Sequence, residues 1–245
     1  NGSLKKFKVQ SSNIKIIENG KNLGFAEGNN VGIRYLLNKR VKYVFILNPD
    51  TEIEKSTIPN LIEVMEKNKK VGIVGPKILA SDKRIWSVGG IIDIKRYSGG
   101  LIGIGEIDRG QYDNIDTPSR NPFGHLEGAS QRDYISGTAM LARSEVFEKA
   151  GFFPDSYFMY YEDVEFCRRA KKAGYRVIFV PASKILHNES SSIGKNSPAQ
   201  EYYMARNHLL FVERNAPILI RIREFIRLAK TIYEHWRKGE NYALL

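Results

Sequence analysis

Residues 42–47, Lys-Tyr-Val-Phe-Ile-Leu, form a near-continuous apolar run that stops at Asn48-Pro49-Asp50. A strand with one wet face would alternate apolar and polar residues. This one does not, so it reads as a strand buried on both faces of a parallel sheet covered by helices. It is too short for a helix, and turn formers close it.

The flanking segments fit the same architecture. Residues 13–17 read as a short strand, and a glycine-rich loop follows, Asn22-Leu-Gly-Phe-Ala-Glu-Gly28. Asn29 or Asn30 can cap a helix running to Asn38. Residues 56–68 read as a helix with Leu61, Ile62, Val64 and Met65 inward, and 71–79 as the next strand. Alternating strands and helices predict an α/β fold with right-handed crossovers. Residues 81–133 are irregular and glycine-rich, and read as loops and edge hairpins. Further strands are expected at 134–143 and 175–180, with helices at 144–150, 162–173 and 199–214. Gly174 stands where a helix C′ residue would.

Pro217 then starts a last helix to about residue 238. Ile218, Ile222, Phe225, Ile226, Ala229, Ile232, Tyr233 and Trp236 form one apolar stripe. Arg221, Arg223, Arg227, Lys230, Arg237 and Lys238 lie off it. Such a helix can pack on the body or on a second copy, giving a homodimer. It can also lie on an anionic membrane surface.

Charge and composition narrow the function. The formal net charge is +11, from 38 Lys and Arg against 27 Asp and Glu. That suits phosphorylated ligands, anionic lipid or nucleic acid. No zinc-finger spacing and no Arg-rich tract with interleaved aromatics occurs, which argues against nucleic acid. The lone cysteine, Cys167, excludes a disulfide framework and a thiolate zinc cluster, so a reducing cytoplasm is the simplest location. No apolar run reaches the roughly 18 residues of a membrane span.

Four groups of residues can carry chemistry. Asp50 ends a strand at the sheet edge where α/β proteins bind ligands, and could hold a divalent cation on a diphosphate. Asn48-Pro49-Asp50 could equally be a plain turn. Tyr160-Tyr-Glu162-Asp163-Val-Glu165 places three carboxylates at a helix start; one could be a general base, though acids there also suit the helix dipole. His187 follows the strand-like residues 184–186 and could complete a Mn2+ or Mg2+ site. The 22–30 loop could let backbone approach a ligand, but it is neither a Walker loop nor a dinucleotide fingerprint.

Their order decides the matter. Asn22–Gly32, Leu47-Asn-Pro-Asp-Thr51, Gly72-Ile-Val-Gly-Pro-Lys77, Ser136–Arg143, Gly151-Phe-Phe, Tyr161–Arg168, His187 and Tyr203…Arg206-Asn207 together resemble the family-2 glycosyltransferases of the GT-A fold. The similarity is closest to the rhamnosyltransferase-like branch. It implies a GT-A (Rossmann-like) α/β domain over residues 1–215, with a mixed, mostly parallel sheet flanked by helices and C-terminal helices, residues 216–245 being a basic amphipathic helix. It also implies inverting transfer from a UDP- or dTDP-sugar to a glycan or lipid-linked acceptor, in cell-surface polysaccharide or glycolipid synthesis. By this resemblance Asp163 is the catalytic base and Glu162 its neighbour at the acceptor. Asn22, Gly24, Asn29, Asn30, Asn48, Asp50 and Arg206 line the donor, and Asp50 and His187 hold the metal. The location is cytoplasmic, with peripheral attachment to the membrane as the lipid-linked variant.

The family usually opens with a strand, a helix and a second strand. This sequence starts after them, which implies that it begins inside the catalytic domain. Two other functions stay open. A sugar-nucleotide nucleotidyltransferase would need a Gly-rich motif with Arg and Lys near the N-terminus. A non-catalytic relative would bind glycans without needing Asp50.

Overall fold

A computed structural model describes residues 14–113, 130–188 and 197–237. In chain order these form α1 (Gly24–Asn38), β1 (Tyr43–Leu47), β2 (Thr51–Ile53), α2 (Thr57–Lys67), β3 (Val71–Ala80), β4 (Ile85–Ser87), β5 (Gly90–Asp93) and β6 (Ser98–Leu101). After the gap come β7 (Ser130–Gln131), β8 (Ala139–Arg143), α3 (Ser144–Ala150), α4 (Glu162–Lys172), β9 (Arg176–His187), α5 (Pro198–Asn215) and α6 (Ile218–Arg237).

The main sheet has the order β1-β8-β3-β9-β2, with β4 on β3 and β7 on β9. It is mixed. β1, β3 and β9 point the same way, as the strand–helix–strand crossovers predict. β8 lies between β1 and β3 and is antiparallel to both, so β3–β9 is the parallel pairing among the described residues. The parallel neighbours expected for β1 are therefore replaced by an antiparallel one. Hydrophobicity reports burial, not strand direction, and could not have shown this.

Helices cover both faces. Leu61 and Met65 of α2 pack on Val71, Val74, Leu141, Ile178 and Val180. Each of the two is fully buried, and burying such a side chain stabilises by about 1.5–3 kcal/mol. Ile33 of α1, Val146 and Phe147 of α3, and Phe166 and Ala170 of α4 fill the other face with Ile46, Ile73 and Val177. β3 is buried over its first eight residues, as a strand sandwiched between layers must be.

Several sequence expectations shift. Residues 14–17 form no strand. The strand expected at 134–143 shortens to 139–143, because Ser136-Gly137-Thr138 turns at its head. The two pieces expected at 175–180 and 184–186 are one strand, β9, which carries Pro181 past a register shift opposite Pro76 and Lys77. β2 (Thr51–Ile53) follows the Asn48–Asp50 turn as a short strand the sequence does not announce. Ser197 caps α5 by accepting from Gln200 N at 3.2 Å, with Pro198 as the first helical residue.

α6 packs against α5 with an unexpected face. Glu224 is 3% exposed and is paired by Arg223 and Arg227. The apolar stripe lies on the opposite side. Ile218, Leu219, Ile222, Phe225, Ile226, Ile232 and Tyr233 are 46% to 77% exposed. No helix among the described residues is long and apolar enough to cross a membrane.

Candidate functional site

β1 delivers Asn48, and the chain turns at Pro49-Asp50 into β2. The turn is tightly specified. Thr51 Oγ1 donates to Asn48 O at 2.6 Å, and Asn48 N donates to Thr138 O at 2.9 Å. β2 pairs with the end of β9, so Thr51 sits opposite His187, and Asn188 N donates to Asp50 O at 2.9 Å. Two sequence-distant strand ends are thereby brought together. His187 Nε2 lies 3.3 Å from Asp50 Oδ1.

His187 is buried, with Trp86 edge-on to its ring at 4.9 Å between centroids. Its Nδ1 is buried without a hydrogen-bond partner among the described residues. Two ligands at about 2.1 Å on one octahedral cation stand about 3 Å apart. The Asp50–His187 separation is close to that edge, so the pair fits a hard divalent cation with phosphate oxygens and water completing its shell. No group of three or more His, Cys, Asp or Glu residues able to hold a metal occurs among the described residues.

Asp163 and Glu162 lie at the start of α4. Asp163 Oδ2 accepts from Gly137 N at 2.9 Å and Oδ1 from Val164 N at 2.8 Å. Burial pushes its carboxyl up, against those backbone hydrogen bonds, which favour the charged form. Glu162 is 4% exposed, and its Oε2 has no hydrogen-bond partner among the described residues. Burial first, and the Asp163 charge second, hold it well above the usual carboxylate range. Two neighbouring carboxyls in unequal surroundings are the usual ground for unequal protonation.

The approach to this pair is strained. Phe158, Tyr160 and Tyr161 have φ of 63°, 67° and 73°. Each such residue costs on the order of 1–3 kcal/mol unless its surroundings hold it. Here Phe158 stacks on Tyr203 with centroids 5.2 Å apart, and its carbonyl accepts from Ala26 N at 3.1 Å. A Cβ on Gly24 would stand 2.4 Å from that carbonyl.

Several expected donor residues have other tasks. α1 begins at Gly24, so the expected loop is the first turn of a helix, and Asn29 and Asn30 lie inside it rather than capping it. Asn22 makes an Asx turn just before the helix, its Oδ1 accepting from Gly24 N at 3.0 Å, and Leu23 stands at the N-cap position without a side-chain cap. Asn30 is buried, donating to Phe153 O at 2.8 Å and accepting from Phe153 N at 3.1 Å, so it ties α1 to the 151–154 segment. Gly24 makes room for Phe158. Asn29 Nδ2 donates to Phe25 O at 2.8 Å. Arg206 is exposed, with Nη1 on Ser156 O at 2.9 Å and on Asn207 Oδ1 at 2.7 Å. The structure brings Asn48, Asp50 and His187 together on one side, and Glu162 and Asp163 on the other. Trp86 carried no signal in the sequence, and Asn207 stood in a matching motif without a sign that it would bind the Tyr157, Met159 and Tyr160 carbonyls. Gly137 sat inside a quoted motif but gave no sign that its amide would meet Asp163.

A glycosyl transferase family 2 model matches residues 3–149, more than half of the 245 residues. The chain belongs to glycosyl transferase family 2. A glycosyl transferase family group 2 model also matches residues 127–226. The low-salt glycan biosynthesis hexosyltransferase of Haloferax volcanii is 29% identical over 80% of this chain and 59% of its own length. The dTDP-rhamnosyl transferase RfbF of Shigella flexneri is 29% identical over 92% of this chain and 72% of its own. The N-acetylglucosaminyl-diphospho-decaprenol L-rhamnosyltransferase of Mycobacterium tuberculosis is 28% identical over 80% and 64%. The chain thus spans between 59% and 72% of the length of these relatives. A crystal structure of GalNAc-T7 with UDP, GalNAc and Mn2+ superimposes with a TM-score of 0.54 at 14% identity, covering 81% of this chain and 36% of that one. This family 2 chain therefore has the GT-A fold.

A depression of about 350 Å3 between Leu37, Lys42, Arg143 and Glu148 lies at the other end of β1 from Asp50. In open α/β sheets ligands bind at the carboxyl ends of the strands, where Asp50 stands.

Proposed function

We propose that this chain catalyses inverting transfer of a sugar from a UDP- or dTDP-sugar to a hydroxyl of a glycan or lipid-linked acceptor. One observation carries the reading. Thr138 and Gly137, adjacent in sequence, tie the Asn48 strand end to Asp163. A diphosphate near Asp50 and an acceptor near Asp163 would therefore meet across one rigid turn.

In this reading the Asp163 carboxylate accepts the proton of the acceptor hydroxyl. The hydroxyl oxygen bonds to the anomeric carbon as the bond from that carbon to the diphosphate breaks. A carboxyl raised by burial is a stronger base than one in water, which suits that task. Burial favours the neutral form of Glu162, which when protonated would donate a hydrogen bond to the acceptor or to Asp163. Asn48 and Asp50 face the diphosphate. Asp50 and His187 would hold Mn2+ or Mg2+, which when bound neutralises charge on the leaving diphosphate. Asn29 and Arg206 remain candidates for the nucleotide wall, since a guanidinium has five donors. The dTDP-rhamnosyl transferase relative supports a dTDP-sugar among the donors.

The acceptor side of the reading rests on α6. Its apolar stripe faces away from the body, and Arg221, Arg223, Lys230 and Arg237 flank it. Apolar residues bordered by cations match the interface of an anionic bilayer, the place of a lipid-linked acceptor. The relative that acts on a diphospho-decaprenol supports this. A homodimer burying the same stripe is the alternative.

The test is calorimetric titration of UDP, dTDP and GDP with and without Mn2+, on the wild type and Asp50→Ala. Metal-dependent binding of one nucleotide, lost in the variant, is expected. Binding that ignores both Mn2+ and Asp50 would sink the metal part, and a lack of any nucleotide binding would sink the donor assignment.

A further inference from the structure

Asn207 is fully buried on α5. Its Nδ2 lies 2.9 Å from Tyr157 O, 2.6 Å from Met159 O and 3.0 Å from Tyr160 O. An amide NH2 has two hydrogens, so three carbonyls share them. The Asn207 Oδ1 is held in turn by Arg206, whose Nη1 also reaches Ser156 O. One helix therefore grips four carbonyls of the five residues 156–160. The odd one, Phe158, turns its carbonyl the other way, to Ala26 on α1.

The gripped turn is the strained one. Phe158, Tyr160 and Tyr161 occupy the left-handed region that glycine enters freely and that a bulky residue avoids. Such a turn does not hold itself. It leads without a break into Glu162 and Asp163, the first two residues of α4. Where α4 starts decides whether Asp163 meets Gly137. Asn207 touches neither carboxyl, yet it is bonded to the segment that aims both.

We propose that Asn207 is a positioning residue, whose carboxamide holds the 157–161 turn in its left-handed form so that the Asp163 carboxyl stays against Gly137. A buried asparagine that merely satisfied stray carbonyls would support the fold in general. This one acts on a single turn, and the difference is measurable. The catalytic consequence rests on the transferase reading above; the conformational claim does not.

The experiment uses the full chain with Asn207→Ala, Asn207→Asp and the pair Asn207→Ala/Tyr160→Gly. Aspartate keeps the shape but puts an acceptor against three carbonyls. Hydrogen exchange of peptides spanning 155–165 should rise about tenfold or more in both single variants, with β3 and β9 still protected. In sugar transfer, kcat should fall about tenfold or more while KM for the donor stays within about twofold. Tyr160→Gly should return part of the protection and part of kcat, because glycine holds that φ unaided.

Unchanged exchange at 155–165, or a rise spread evenly over the chain, overturns the proposal. So does a glycine that restores neither readout. Raised local exchange with unchanged kcat overturns the catalytic half alone. If the wild type transfers no sugar from any donor tried, the transferase reading is at fault, and the exchange data still decide the clamp.

Discussion

Asp163 and Asn48 are fastened to neighbouring residues of one turn. Gly137 N reaches the Asp163 carboxyl at 2.9 Å, and Thr138 O receives Asn48 N at 2.9 Å. The spacing between the two halves of the site is thus set by two consecutive residues rather than by the packing of two separate loops. A Cβ on Gly137 would meet the Phe25 ring at 2.8 Å, so the side-chain-free position is also required for α1 to close over this turn.

Asp163 is the proposed base. Asp163→Asn keeps the shape and can still accept from Gly137 N, but it cannot take a proton. Transfer should fall by about 10²- to 10⁴-fold, the usual span for a general base. Nucleotide affinity by calorimetry should change little, because Asp50 and His187 are untouched.

The carboxyls of Glu162 and Asp163 are raised in the folded chain, so the fold binds more protons than the unfolded chain above the ordinary Glu and Asp values of about 4. Stability therefore falls as pH climbs from that value through the raised folded pKa, and the full contribution is present only below it. Glu162→Gln removes the larger titration. Its melting temperature should exceed that of the wild type increasingly as pH rises from 5 to about 8. Parallel melting curves across that range would contradict the assignment.

Gly24→Ala would place a methyl 2.4 Å from Phe158 O, on a backbone with φ +73°. A loss of roughly 1–3 kcal/mol is expected, from overpacking together with strain. Chemical denaturation measures it. Gly28→Ala on the same helix meets nothing within 4 Å, so as the control it should hold or raise stability, by up to ~1 kcal/mol for alanine in a helix interior.

On α6, Ile222→Asp/Ile226→Asp should abolish sedimentation with vesicles containing anionic phosphatidylglycerol. Both residues are half or more exposed, so the melting temperature should hold. If vesicles are ignored and the wild type instead sediments as a dimer that the variant breaks, the stripe is a protein interface.

Much of this was legible in advance for identifiable reasons. The β1 run ending in Asn48-Pro49-Asp50, the α4 segment before Gly174 and the long stripe of α6 are local patterns, written within a few residues of each other. The insertion of antiparallel β8 between β1 and β3 is a long-range pairing, and each strand looks the same whichever neighbour it takes. Asn22 and Asn30 show the limit most clearly. Both are asparagines beside a glycine-rich stretch, and a ligand-lining role suited both. Asn22 makes an Asx turn onto Gly24 N and Asn30 ties α1 to Phe153, contacts the sequence does not announce, because a short amide serves a backbone as readily as a ligand. The left-handed tyrosines left no trace, since nothing in a Tyr-Tyr pair announces a backbone that tyrosine avoids.

If the outward apolar face of α6 lies on a bilayer, the surroundings become part of the reaction. On a bilayer, donor would arrive from three dimensions and acceptor from two. The useful concentration of acceptor would then be counted per area of lipid, not per volume of buffer. Dilution at fixed lipid composition would leave such a rate unchanged, whereas adding inert lipid would slow it. On the membrane reading, detergent, salt and vesicle size would become kinetic variables, and their influence would enter through the exposed Ile222, Phe225 and Ile226 rather than through any residue near Asp163.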